Sequence, residues 1–230
     1  MTTTASNLIR WTGLSALVGG SLFVAIQPFH PPESLASVTT TAWATVHYVG
    51  VAMSLFNLLG IAGIYARQVE KAGWFGLAGF LLLEVMWALT AAFQFAEGLI
   101  LPLLATDAPQ FVVGFLGITS GSPSEVSLGI LPVLYSLTSV LYLIGGVLLG
   151  IATFRAGILP RWAGGALAFA TVSPLGLSLL LPHEFVRLAA VPFGLALAGL
   201  GYALWSERRG SSSQPVPARA RAELRQAGAE

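Results

Sequence analysis

Long apolar runs alternate with short polar or turn-rich stretches along the whole chain. Six runs stand out, at roughly 11–27, 43–66, 74–101, 129–154, 163–181 and 188–205. About 20 apolar residues in a helix cross the ~30 Å of hydrocarbon in a bilayer. Each run therefore predicts one membrane-spanning helix. Breaks between them are marked by residues that end helices. Pro28, Pro31 and Pro32 crowd into "IQPFHPPES", and "FRAGILPRWAGG" separates the fourth and fifth runs.

Composition agrees with this pattern. Of 230 residues, 55% are hydrophobic and 9% charged, with a mean hydropathy of +0.79. A soluble domain carries about 25% charged residues, so this chain could not cover a water-facing surface. The expected fold is an all-α, polytopic transmembrane bundle of about six spans over residues 1–206. Residues 207–230, rich in Ser, Pro and Arg, are expected to be a disordered cytoplasmic tail.

Charge then orients the bundle. Ten of the eleven basic residues share one side if each run crosses once: Arg10, Arg67, Lys71, Arg155, Arg161, Arg208, Arg209, Arg219, Arg221 and Arg225. Cytoplasmic loops carry such an excess. Both termini are therefore expected in the cytoplasm, in a multi-pass protein of the inner (plasma) membrane. Arg187 is the exception, with Glu184 as its expected partner. The first run has a single preceding Arg and no clean cleavage site after it, so it is read as a retained helix rather than a signal peptide. The outer stretch 109–118, "PQFVVGFLGI", is too short to cross and is either re-entrant or an apolar loop packed on the bundle.

Net charge is +1, so no basic field points to nucleic acid. The chain has no cysteine, which excludes disulfides, thiolate metal sites and Cys nucleophiles. Lys71 is the only lysine, so no mid-membrane lysine can form a retinal Schiff base. The turns "GIYARQVEKAGWFGLAGF" and "GIATFRAGILPRWAGGALAF" share Gly-Ile, a basic residue, Ala-Gly and a following Trp. Duplication would explain this, but so would the common needs of an inside turn, which is the preferred explanation.

The segment "RAGILPRWAGG" resembles a turn found in a family of bacterial multi-span membrane proteins of unknown function. "YARQ" and "FAEGLILPLLA" are similar to that set as well. The resemblance covers about residues 45–205 and implies a multi-span bundle, with no catalytic role to carry over. In physical terms the turn is an anchor: Arg155 and Arg161 reach phosphates, Trp162 sits at headgroup level and Pro160 starts the next helix.

Polar residues within spans mark where function can lie. Two groups emerge from the expected topology. At the midplane is Glu84, about 15 Å from the inner edge at 1.5 Å per residue. Asn57, Tyr142, Thr171 and Ser173 lie at similar depths and are its expected hydrogen-bond partners. Glu84 shares a broad polar face with Trp87, Thr90, Gln94 and Glu97. This group is either a proton- or substrate-binding site or a hydrogen-bond clamp between helices.

The second group lies near the outer face: His47, Gln94, Glu97 and Tyr135, with His30 and His183 in the outer loops. His47 is expected to pair with Glu97 or Tyr135, with His30 and His183 exposed at the interface. Three histidines and a carboxylate suffice for zinc, but the spacings are scattered, so no metal and no cofactor are expected. There is no Walker A loop, no dinucleotide-binding glycine motif and no nucleophile elbow.

The expected function is a non-enzymatic transport, binding or scaffold protein built around Glu84, its ligand not identifiable and its surroundings membrane lipid. Six spans is few for a monomeric transporter, which points to a homodimer. The alternative is an intramembrane lipid or isoprenoid enzyme using His47, Glu97 and His183. No catalytic residue is assigned.

Overall fold

A computed structural model of the chain describes residues 5–180 and 183–207. All secondary structure among the described residues is helical. Five helical stretches are long and apolar enough to cross a membrane: Asn7–Phe29, Thr41–Leu104, Leu131–Ala156, Arg161–Leu180 and Val186–Ser206. In chain order the α-helices are α1 (Ala5–Ile26), α2 (Leu35–Val38), α3 (Thr41–Phe95), α4 (Leu101–Leu104), α5 (Pro109–Gly117), α6 (Leu131–Ala156), α7 (Arg161–Leu180) and α8 (Val191–Ser206). The tail expected to be disordered lies outside the described residues, apart from Glu207.

The second and third apolar runs both fall within α3, which is a hairpin. Gly73 takes φ 58° and ψ −165° inside it. Only glycine enters that region without steric cost, so the chain reverses there. Contacts on either side mirror about this point. Tyr65 stacks on Phe80 with centroids 4.6 Å apart, and Trp43 Nε1 donates to the Glu97 carbonyl across 2.8 Å. The arms, 41–72 and 74–95, therefore run antiparallel. The related turn after α6 also uses a glycine: Gly157 is left-handed at φ 61° and its amide bonds the Thr153 carbonyl.

Small residues draw the helices together. A Cβ on Gly20 would lie 2.6 Å from the Ala198 nitrogen in α8. In the same way Gly79 of α3 abuts the backbone of α6 at Leu149. Lipid tails are as apolar as the helices, so close backbone approach replaces the hydrophobic drive of a soluble core. The order of packing is α8, α1, first arm of α3, second arm, α6, α7, with α7 also touching α8. The main core contains Trp87, Leu83, Leu149, Phe193 and Leu197.

The two ends of the bundle differ in chemistry. One carries Arg10, Arg67, Lys71, Arg155 and Arg161, with Trp11, Trp74 and Trp162 each more than half exposed. The other is capped by α5, whose Val112, Phe115 and Leu116 pack on Trp43, Phe93 and Leu101. Residues 109–118, open above between a re-entrant segment and a packed loop, thus form a short helix laid on the bundle's end.

Candidate functional site

The second arm of α3 and α6 touch at Gly79 and Leu149. Nearer the α5 end their side chains grow larger. There a cleft of about 1270 Å³ opens between α1, α3, α5, α6 and the loop after α1. Drug-sized ligand pockets occupy about 300–1,000 Å³, so this space suits a long or branched occupant.

Two ladders of side chains line it. Trp87, Thr90 and Gln94 come from α3, Glu97 from the π-helix Ala96–Ile100 that continues it, and Tyr135, Thr138, Ser139 and Tyr142 from α6. Spacings of three and four residues put each set on one helix face. The floor is aromatic. Phe193 lies 4.7 Å from Tyr142, 5.8 Å from Phe23 and 6.4 Å from Trp87, between ring centroids.

The mouth is polar. His47 Nε2 lies 3.2 Å from Glu97 Oε2, both side chains being at least nine-tenths buried. His47 Nδ1 lies 2.7 Å from the Trp43 carbonyl. A carbonyl only accepts, so Nδ1 carries a proton and donates. Nε2 is then the ring atom that faces the Glu97 carboxyl group. Trp43 fixes the assembly twice, through its indole bond to the Glu97 carbonyl and a ring contact 4.1 Å from His47. Such a pair can donate or accept a proton at the cleft wall.

Next to it, His30 stands 5.2 Å from His47 between ring centroids and bonds the Pro31 carbonyl through Nδ1 at 2.8 Å. Arg187 donates to Glu33 Oε1, tying the loop after α1 to the 3-10 helix His183–Ala190. Burial pushes the His30 pKa down to about 4, helped by the Arg187 charge. Burial raises the Glu33 carboxyl above its ordinary value, and Arg187 opposes that rise.

Four buried side-chain atoms on residues lining the cleft lack any hydrogen-bond partner: Glu33 Oε2, Trp87 Nε1, Gln94 Oε1 and Tyr142 Oη. Each unsatisfied group costs about 1–3 kcal/mol. Gln94 Oε1 is turned toward Gly50 of the first arm of α3, whereas Glu33, Trp87 and Tyr142 stand at the two ends of the cleft.

The residues expected from sequence separate into two outcomes. His47, Gln94, Glu97 and Tyr135 do gather at one site, and Tyr142 and Trp87 form its floor. The midplane cluster around Glu84 does not assemble. Glu84 makes no hydrogen bond, and its Oε1 is buried without a partner. Thr171 donates to the Leu167 carbonyl at 2.7 Å and Ser173 to the Ala170 carbonyl at 3.0 Å, each on its own helix. Asn57 turns toward Gly19 of α1 with both amide atoms unpartnered, and Tyr142 belongs to the cleft. Equal depth did not imply a shared face.

One outer-loop expectation is also corrected. His30 is not exposed, its side chain being only 7% accessible against Trp43 and His47. Arg187 pairs with Glu33. The side chains of His183 and Glu184 lie outside the described residues. Among the described residues, no three His or carboxylate groups are placed to hold a metal ion.

Sequence reasoning missed Glu33 and Trp43. Trp43 precedes His47 by one helical turn, a spacing that would have paired them. Glu33 sits in a proline-rich loop with no period to read. Compared with protein-family models, curated proteins and solved structures, the chain matches none.

Proposed function

We propose that this chain crosses the plasma membrane six times, with both termini in the cytoplasm, and binds an amphiphilic small molecule through a cleft open to the outside. The hairpin form of α3 supports six crossings, since five membrane-length stretches then contain six arms. The basic residues and exposed tryptophans at the end opposite the cleft support this orientation.

The observation that supports the binding function is a cleft of about 1270 Å³ with an aromatic floor and a polar mouth, whose lining residues Glu33, Trp87 and Tyr142 each carry a buried polar atom without a partner. An amphiphile satisfies both parts at once. This reading moves the site from Glu84 to the end that bears His47 and Glu97.

Mass spectrometry of the gently solubilised protein tests it. A bound amphiphile is expected at about one per chain, and it should be absent from Ser139→Trp, whose indole fills the cleft. Equal retention by that variant would sink the proposal. One observation favours a hydrolytic alternative: Glu97 lines the cleft with His47 paired behind it, where the pair could activate water. Under that alternative, purified protein would cleave the bound molecule and His47→Ala would not.

A further inference from the structure

Helices α6 and α7 pack closely in their inner halves and part in their outer halves. Gly146 of α6 abuts Thr171 of α7, and Gly150 abuts the backbone of Ala168. The two helices run antiparallel. This register therefore sets Tyr142 opposite Leu175 one turn further out, and Ser139 opposite Ser178 one turn beyond that. The packing does not continue that far. Leu175 is 63% exposed, and Ser139 and Ser178 are both exposed. Ser139 and Tyr142 line the cleft instead, and among the described residues none of α7 lines it. The face by which α6 holds α7 thus becomes, two turns on, a wall of the cleft.

Pro174 stands where the helices part. Proline has no N–H, so the Ala170 carbonyl loses its partner within the helix. The Ser173 hydroxyl donates to that carbonyl instead, at 3.0 Å. Beyond the proline, Leu179 and Leu180 are almost fully exposed. Depth decides what the opening meets. Ser139 lies eight residues inside the outer end of α6, about 12 Å at 1.5 Å per residue. The hydrocarbon of a bilayer is ~30 Å thick, so the opening stands at the level of lipid chains. Val140, Leu175 and Leu179, around it, are apolar and exposed. The polar mouth with His30, Glu33 and Arg187 belongs to the same space.

Resting on the reading of this cleft as an amphiphile site, we infer that its ligand is a lipid of the outer leaflet, taken in sideways between α6 and α7. The head reaches the polar mouth. A hydrocarbon chain lies between Ser139 and Ser178 and against the Tyr142 ring, with its end still in the bilayer. A solute arriving from water would use the mouth alone and would leave an apolar-rimmed side opening without a purpose.

The chain has no cysteine, so a single bimane fluorophore can be placed on Ser139→Cys. The labelled protein is reconstituted in phosphatidylcholine vesicles that contain phosphatidylcholine with brominated chains, a contact-range quencher. Bimane on Leu137→Cys, on the opposite face of α6, serves as the lipid-facing reference. The brominated lipid is expected to quench the Ser139 label at least half as strongly as the reference. Ser178→Trp puts an indole in the side opening without touching the cleft lining. It is expected to cut quenching at Ser139 at least threefold and to leave that at Leu137 unchanged. Two results overturn the side entry while leaving the cleft. One is a Ser139 label quenched by external iodide but not by brominated lipid. The other is lipid quenching that Ser178→Trp leaves intact or lowers equally at both positions. A Ser139 label that neither quencher reaches removes the open cleft, and the binding reading falls with it.

Discussion

The same two helices meet in two different ways at their two ends. Between Gly79 and Leu149, the second arm of α3 lies against the backbone of α6. Between Glu97 and Tyr135, the same pair helps to enclose an open cleft. At the cleft end the chain winds as a π-helix over Ala96–Ile100. Residue size and polarity change as well. Glycine lets backbones close, while Trp87, Gln94, Glu97, Tyr135 and Tyr142 hold them apart with side chains that have few partners of their own. The closed half fixes the bundle, and the open half carries the unmet hydrogen bonds that invite a ligand.

The largest expected effect breaks the open half. Glu97→Ala leaves buried His47 Nε2 without its partner 3.2 Å away, and removing one member of a buried pair costs about 3–5 kcal/mol. Thermal unfolding in detergent should show this, with a smaller loss for Glu97→Gln. A loss no greater than that of a lipid-facing substitution would mean that the pair is not buried as described.

The closed half answers to a pair of identical substitutions. Gly79→Ala forces a methyl against the α6 backbone and should cost about 1–3 kcal/mol. A methyl added at Gly176 would meet nothing within 4 Å. Gly176→Ala should therefore gain up to about 1 kcal/mol from helix propensity alone. Opposite signs in the same unfolding assay sharpen the contrast, and equal signs would remove it.

A polar bond also sits toward the closed end. Gln68 Nε2 donates to Thr153 Oγ1 across 2.7 Å between α3 and α6. Gln68→Leu should cost about 1 kcal/mol, less than either change above.

The cleft mouth should also show a pH dependence. Unfolded His30 takes a proton near pH 6.5, whereas the folded side chain resists until about 4. The unfolded state binds more protons in that window, so stability is present above pH 6.5 and is lost as pH falls toward 4. His30→Gln should flatten this loss. Glu33 acts in the opposite sense: its raised folded value gives stability at low pH that is lost as pH rises through it. Glu33→Gln should therefore steepen the acid loss, as followed by unfolding midpoints across pH.

Much of this architecture was legible in the sequence. Span lengths are dictated by the bilayer, so the apolar runs reappear as helices with ends shifted by a few residues. The Lys-Ala-Gly-Trp turn marked the reversal that Gly73 makes. Depth and helix face together leave Glu97 and Tyr135 as partners for His47, and the structure pairs it with Glu97. Glu84 shows where that reasoning stops. Depth follows from counting residues, but rotation of one helix against another does not. Thr171 and Ser173 also had a nearer acceptor on their own helices. Glu33 and Arg187 meet across 154 residues from irregular segments, and no local pattern announces such a contact.

The absence of cysteine allows a direct test of the central claim, that the cleft opens to the outside. Ser139→Cys introduces a single thiol at the cleft wall. A membrane-impermeant maleimide added to intact cells is expected to label it, and a bound amphiphile should slow that labelling. Labelling that appears only after the membrane is permeabilised would contradict the orientation and the open cleft together.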